Sequence, residues 1–212
     1  MDGLVLVDKP VGCTSHDVVN RARRVYATRA VGHAGTLDPF ASGLLILGVN
    51  KGTKQLTALV GLDKKYEVTI ELGKRTDTFD TEGKVTETIP EGAAPPTLEA
   101  IQQALVPFTG TFEQKAPLYS AKKLHGTPLY KLARAGQATE ELRPTKQVTI
   151  FSLKIISYTW PLLRLAVHCS SGTYIRSLAD DLGQALGVGG YAKELRRTMI
   201  GTYDIKDAIS LN

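Results

Sequence analysis

Cysteine is nearly missing from this chain of 212 residues: Cys13 and Cys169 are its only two, and neither belongs to a Cys-x-x-Cys pair. A disulfide framework is therefore not expected, and a reducing cytoplasm fits. Cys13 and His16 make half a metal site, but no second pair at ligand spacing follows, so no metal is expected. Long hydrophobic runs are missing too. Nothing approaches the ~20 apolar residues that span a bilayer, and Met1-Asp2-Gly3 lacks the basic-then-apolar pattern of a signal peptide. Acids are in deficit, 21 against 26 Lys+Arg, a formal net charge of +5. That excess points mildly toward a polyanionic partner, and alone it supports nucleic acid only weakly. No internal repeat or low-complexity segment is present. With 42% hydrophobic residues, a full core is available to one large domain or two small ones.

The densest information lies in Gly32-His33-Ala34-Gly35-Thr36-Leu37-Asp38-Pro39-Phe40-Ala41-Ser42-Gly43-Leu44-Leu45. Its glycines allow positive φ and close backbone approach. Pro39 removes a donor and biases Asp38 toward an extended conformation. Leu44-Leu45-Ile46-Leu47 then reads as a short buried strand. One carboxylate is thus held on a stiffened loop that leads into the core. The residues alone leave two readings open: a reactive acid, or a turn in which Asp38 bonds its own backbone.

Around this stretch the chain reads as mixed α and β. Gly3–Val7 is a strand, and Thr14 or Ser15 caps a helix through Tyr26, with Val18, Val19, Ala22, Val25 and Tyr26 inward. Arg21, Arg23 and Arg24 form its basic face: solvated, or phosphate-binding if the helix borders the Asp38 loop. Residues 53–60 read as a helix. Residues 65–72 alternate, placing Tyr66, Val68, Ile70 and Leu72 on one buried face. Residues 73–84 are a polar loop, expected to be a solvated turn because the closing Glu of an EF-hand is missing. Further elements are a strand at 85–89, a helix at 97–105, and a hairpin of 145–158 with 162–169 turning at Thr159-Trp160-Pro161. A helix follows from Ser170-Ser171-Gly172-Thr173 to Leu186, then a basic strand at 195–198 and a short terminal helix at 204–212.

Two features stand out for chemistry. From Gln114 to Arg134, lysines alternate with tyrosines and acids are absent, a pattern suited to neutralising phosphates and stacking on bases. Arg176 sits in the first turn of its helix, where a cation opposes the helix dipole. A paired acid would account for it.

Four segments together resemble the TruB branch of pseudouridine synthases, the tRNA pseudouridine-55 synthases. They are Asp8-Lys9-Pro10-Val11-Gly12-Cys13-Thr14-Ser15, the Gly32–Leu45 stretch, Lys65-Tyr66, and Ser171-Gly172-Thr173-Tyr174-Ile175-Arg176-Ser177-Leu178. Each motif is modest evidence, whereas their joint order from Gly3 almost to Asn212 is specific. The resemblance implies an α+β fold with a mixed, largely antiparallel central sheet flanked by helices. It implies an enzyme that detaches the T-loop uracil of tRNA, turns it and rejoins C5 to C1′, without a cofactor, as a cytoplasmic monomer with no membrane partner.

Asp38 matches the family's essential aspartate, Arg176 the arginine paired with it, and Tyr66 the tyrosine that stacks on uracil and is a candidate for removing the C5 proton. His33 matches a residue that fills the place of the flipped base. Lys9 and Lys122 match positions for phosphate contact, and Leu195, Tyr174 and Ile175 line the uracil pocket. The Pro117–Lys122 segment and its Tyr130…Arg134 continuation resemble the stand-alone bacterial branch. The expectation is one catalytic domain over 1–212, with a tRNA-binding insertion around 110–145. Bacterial members usually continue into a small RNA-binding PUA domain, which is not expected here because the sequence stops at Asn212.

Two other readings compete. A tRNA-elbow folding chaperone would need the basic cleft but not the set of Asp38, Tyr66 and Arg176. The catalytic subunit of an RNA-guided complex would share those motifs but lack the Gln114–Arg134 segment.

Overall fold

The apolar run Leu44-Leu45-Ile46-Leu47 is buried on both sides. Leu45 and Leu47 pack with Val18, Val19 and Ala22, while Leu44 and Ile46 pack with Leu59 and Ile200. A strand covered on both faces has no polar side to present, which is why the run does not alternate. The computed structural model describes residues 1–120, 122–124 and 126–211. Ala121 and His125 of the basic stretch, and Asn212, lie outside the described residues.

In chain order the elements are β1 (Gly3–Lys9), α1 (Ser15–Val25), β2 (Val31–His33), β3 (Ser42–Val49), a 3-10 turn (Asn50–Gln55) running into α2 (Leu56–Val60), and β4 (Lys64–Leu72). Then come β5 (Lys74–Thr76), β6 (Val85–Thr88), α3 (Leu98–Leu105), β7 (Gly110–Lys115), β8 (Lys123–Leu124), β9 (Thr127–Pro128) and α4 (Leu129–Arg134). The chain closes with β10 (Thr145–Thr159), β11 (Leu162–Cys169), α5 (Ile175–Ala185), β12 (Gly190–Ile200) and β13 (Tyr203–Asp204).

Among the described residues, nine strands form one sheet in the order β1-β3-β12-β4-β11-β10-β7, with β2 beside β3 and β13 beside β12. Every pairing is antiparallel except β12 with β3. The expected mixed, largely antiparallel sheet is what the chain builds. The alternation in β4 puts Tyr66, Val68, Ile70 and Leu72 into the main core, under Ile101 and Leu105 of α3 and Ile175, Leu178, Ala179 and Leu182 of α5.

Three local expectations need correction. Helix α5 begins at Ile175 rather than in the Ser170–Thr173 segment. The Gln114 side chain accepts from the Tyr174 amide at 2.8 Å and donates to its carbonyl at 3.0 Å, holding Tyr174 extended as the N-cap. The terminal helix is a single 3-10 turn, Ile205–Asp207, because Ile209 instead pairs through its backbone with Leu6 and Asp8 on β1. On α1, Val25 is exposed although the apolar stripe included it.

The parallel contact of β12 with β3 brings the Arg197 backbone against Gly43. Gly43 has φ +105°, and a Cβ there would sit 2.3 Å from the Arg197 carbonyl oxygen. Only glycine admits both that dihedral and that approach.

Candidate active site

Asp38 stands on the loop between β2 and β3, at a cleft of about 410 Å³. The loop is held from three sides. The Ser15 hydroxyl, at the start of α1, accepts from the Leu37 amide at 2.8 Å and donates to the Leu37 carbonyl at 3.1 Å. Arg197 of β12 donates from Nε to the Leu44 carbonyl (2.8 Å), and from its terminal nitrogens to the carbonyls of Gly35 (3.0 Å) and Thr36 (3.4 Å). Lys9 donates from Nζ to the carbonyls of Pro10 (2.9 Å), Cys13 (2.7 Å) and Pro39 (3.5 Å).

Lys9 therefore does not have the phosphate-binding place expected for it. Its side chain is fully buried, and its ammonium is committed to the carbonyls of two loops. Buried cations are tolerated where such acceptors replace water. Lys9 braces the residue after Asp38 and does not reach solvent.

Arg176, 4% exposed, is the hub of the site. Its Nε meets Asp38 Oδ2 at 2.9 Å and its Nη1 meets Asp80 Oδ2 at 3.2 Å. Nη1 also donates to the Thr78 carbonyl (2.8 Å) and Nη2 to the Tyr119 carbonyl (2.9 Å). One guanidinium thus joins the Asp38 loop, the 76–84 loop and the start of the basic segment. The acid that its first-turn position called for is present twice over. The Asp38 side chain keeps 37% of its surface exposed, so the carboxylate remains open to a ligand.

Asp80 was not visible in the sequence, where residues 73–84 read as a solvated turn. It is 2% exposed. Burial pushes its carboxyl up, and the Arg176 charge, the Thr78 hydroxyl (2.6 Å) and the Glu82 amide (2.9 Å) oppose that. The Asp-x-x-Asp spacing of Asp77 and Asp80 offered no sign of burial. Arg197 did leave a signal: on a strand it shares a face with Leu195, two residues before it, and both line the cleft.

The cleft brings together Asp38, Tyr66, Lys122, Tyr174, Ile175, Arg176 and Leu195, with Lys64 and Arg197 added. Among its described lining residues Asp38 is the only carboxylate. Tyr66 is 8% exposed. Burial pushes its phenol above the ordinary range, against the pull of Arg197, so the ring is neutral at pH 7. Burial also brings Lys64 down to about 8, reinforced by the Arg197 charge.

His33 is not among the lining residues. It pairs with Leu47 across β2 and β3, its Nδ1 buried without a hydrogen-bond partner, and burial lowers its pKa so that the imidazole is neutral. Arg21, Arg23 and Arg24 do not line the cleft either: α1 bonds the loop through Ser15, and Arg21 points to the Leu211 carbonyl. No group of three or more metal-ligating side chains is placed to hold an ion among the described residues. Nor is any described helix long and apolar enough to cross a membrane.

Comparison with known proteins decides the family. Residues 23–175 match the model of the TruB family pseudouridylate synthase N-terminal domain, and residues 176–212 that of the tRNA pseudouridylate synthase B C-terminal domain. The chain belongs to the TruB family. A relative from Aromatoleum aromaticum named tRNA pseudouridine synthase B is 46% identical over 211 residues, which is 100% of this chain and 67% of that one. Another of the same name from Aeromonas salmonicida is 44% identical over 209 residues, 99% of this chain and 64% of that one. The chain thus spans about two thirds of the length of these relatives. Among solved structures, a chain of a Cbf5-Nop10-Gar1 complex superposes with a TM-score of 0.74 at 30% identity, over 99% of this chain and 52% of that one. The segment match to the TruB family runs through both the Asp38 loop and the Arg176 helix.

Proposed function

We propose that this chain is a tRNA pseudouridine synthase that isomerises the T-loop uridine (U55) of the T arm. One observation carries the reading: a single carboxylate, Asp38, is open to the cleft, fixed by a buried arginine and set beside a buried tyrosine. A pure RNA binder has no use for an acid in a cleft that is otherwise cationic. Names shared with relatives at about 45% identity support the same activity.

The reaction breaks N1–C1′ and makes C5–C1′, and the hydrogen lost from C5 is balanced by one gained at N1. Atoms and electrons are conserved, so no redox partner is needed. Asp38 is the nucleophilic carboxylate, held ionised and oriented by Arg176. The uracil lies on Tyr66, walled by Leu195, Tyr174 and Ile175. Burial keeps the Tyr66 phenol neutral, so for it to take the C5 proton its own proton must first pass to N1 of the detached uracil, which balances the exchange. The target base is stacked within the loop and must leave it, and His33 supplies a flat neutral ring for the space left behind. The 212 residues act as one catalytic domain, with 110–145 as the tRNA-binding insertion, in a monomeric cytoplasmic enzyme.

Incubation with unmodified tRNA transcript, followed by carbodiimide primer extension, tests this directly. A stop at the T-loop uridine is expected, and its absence would reject the activity.

The RNA grip is electrostatic. Lys122 is exposed at the cleft, with Lys131 and Arg134 behind it on α4. Affinity is expected to fall steeply with salt, and Lys122→Ala to flatten the log–log slope by about one unit. An unchanged slope in filter-binding titrations would take Lys122 off the RNA path.

A further inference from the structure

Phe79 does not line the cleft, yet it sits between the two groups that Arg176 holds on the 76–84 loop. It is 3% exposed, and its backbone is in the left-handed region, φ +62°, where a bulky residue is strained. Two hydrogen bonds pin that backbone: the Phe79 amide donates to the Thr76 carbonyl at 3.2 Å, and its carbonyl accepts from the Ala192 amide of β12 at 3.0 Å. Its ring carries two cations. The guanidinium carbon of Arg143 lies 5.0 Å from the ring centroid, and that of Arg75 5.5 Å.

Each arginine is anchored elsewhere. Arg143, 8% exposed, donates to the carbonyls of Ala116 (2.8 Å) and Lys115 (3.3 Å), where the basic segment leaves the sheet. Arg75 grips Asp180, one turn after Arg176 on α5, with Nη2 to Oδ2 at 3.1 Å. The ring is therefore joined on one side to the base of the RNA-binding segment and on the other to the helix that carries Arg176.

We propose that Phe79 is a positioning residue, through which the 110–145 segment sets the place of Asp80 and Thr78 and so the aim of Arg176 on Asp38. The strained backbone is retained because it points the ring at Arg143 and Arg75 while turning its two neighbours toward Arg176. RNA seated on the segment bears on Arg143, and the ring transmits that load to the pair at the reacting carboxylate. The proposal rests on the catalytic reading of Asp38.

The test is a double-mutant cycle on the single-turnover rate at saturating tRNA transcript, with RNA Kd and Tm measured in parallel. Phe79→Leu keeps apolar bulk but removes the π face, and is expected to slow the rate about tenfold while Kd and Tm stay near wild type. Arg143→Lys should slow it to a similar extent. The double variant should be no slower than the worse single, because both act through one contact. Phe79→Tyr restores a ring and should return most of the rate. A Phe79→Leu enzyme at wild-type rate, fully additive losses, or a loss that follows Kd or Tm and is not recovered in Phe79→Tyr overturns the proposal alone. A wild-type chain that makes no pseudouridine overturns the catalytic reading, and the positioning role with it.

Discussion

Asp38→Asn and Asp38→Ala leave no detectable pseudouridine, while tRNA affinity stays within roughly tenfold, ~1.4 kcal/mol. The asparagine variant is the sharper of the two. It keeps the volume of the side chain and its contact with Arg176 Nε, now through an amide oxygen, so the loop held by Ser15, Lys9 and Arg197 has no reason to move. What goes is the negative charge, and with it the proposed nucleophile. No neighbour replaces it, because the other described residues lining the cleft include no carboxylate. Asp80 faces Arg176 from a buried position and is itself tied to Thr78 and Glu82. Affinity is spared because the contacts that attract RNA are the cations around the cleft. Turnover by either variant on clean transcript, read as carbodiimide-dependent stops, would remove Asp38 from the chemistry.

Arg176→Lys lowers the single-turnover rate by about a hundredfold or more, the scale of an ångström's misplacement of a reacting group. Charge is conserved, but geometry is not. The guanidinium serves two carboxylates and two carbonyls along divergent directions. An ammonium at the end of a flexible stem has three hydrogens around one atom and cannot span that set. Some acceptor of a guanidinium that is itself 4% exposed is left unpaired, and breaking a buried pair costs about 3–5 kcal/mol. Asp80 is the more deeply buried carboxylate, so lysine should follow it and leave Asp38 free to turn. Affinity should change less than threefold, on the order of 0.6 kcal/mol. A near-wild-type rate would mean that Arg176 does not orient Asp38.

What could be read in the sequence was local. The Asp38 loop announced itself through glycines and a proline within a dozen residues, Tyr66 through the alternation of its own strand, and Arg176 through a charge misplaced on its own helix. The hairpin of β10 and β11 turns at Trp160-Pro161, as its turn residues require. What could not be read depends on partners far along the chain. Lys9 looks like a surface lysine until the carbonyls of Cys13 and Pro39 are brought to it. Asp80 looks solvated until Arg176 arrives from 96 residues away. His33 follows its neighbours onto β2 and stands outside the cleft lining. Charged side chains carry no periodic signature of burial, since what admits them to the interior is a set of acceptors that only the assembled sheet supplies.

The one parallel seam of the sheet has a consequence for the order of events in synthesis. Residues 35–44 take their shape from Arg197 on β12, a strand that enters the middle of the sheet between β3 and β4. While the ribosome is still making the preceding residues, β3 and β4 have no strand between them, and the carbonyls of Gly35, Thr36 and Leu44 have no guanidinium to accept from. Contacts of such wide sequence separation form late and slowly. A nascent chain that has reached only β11 therefore carries Asp38 on a loop without its Arg197 brace. The loop takes its final shape only after β12 has entered between β3 and β4.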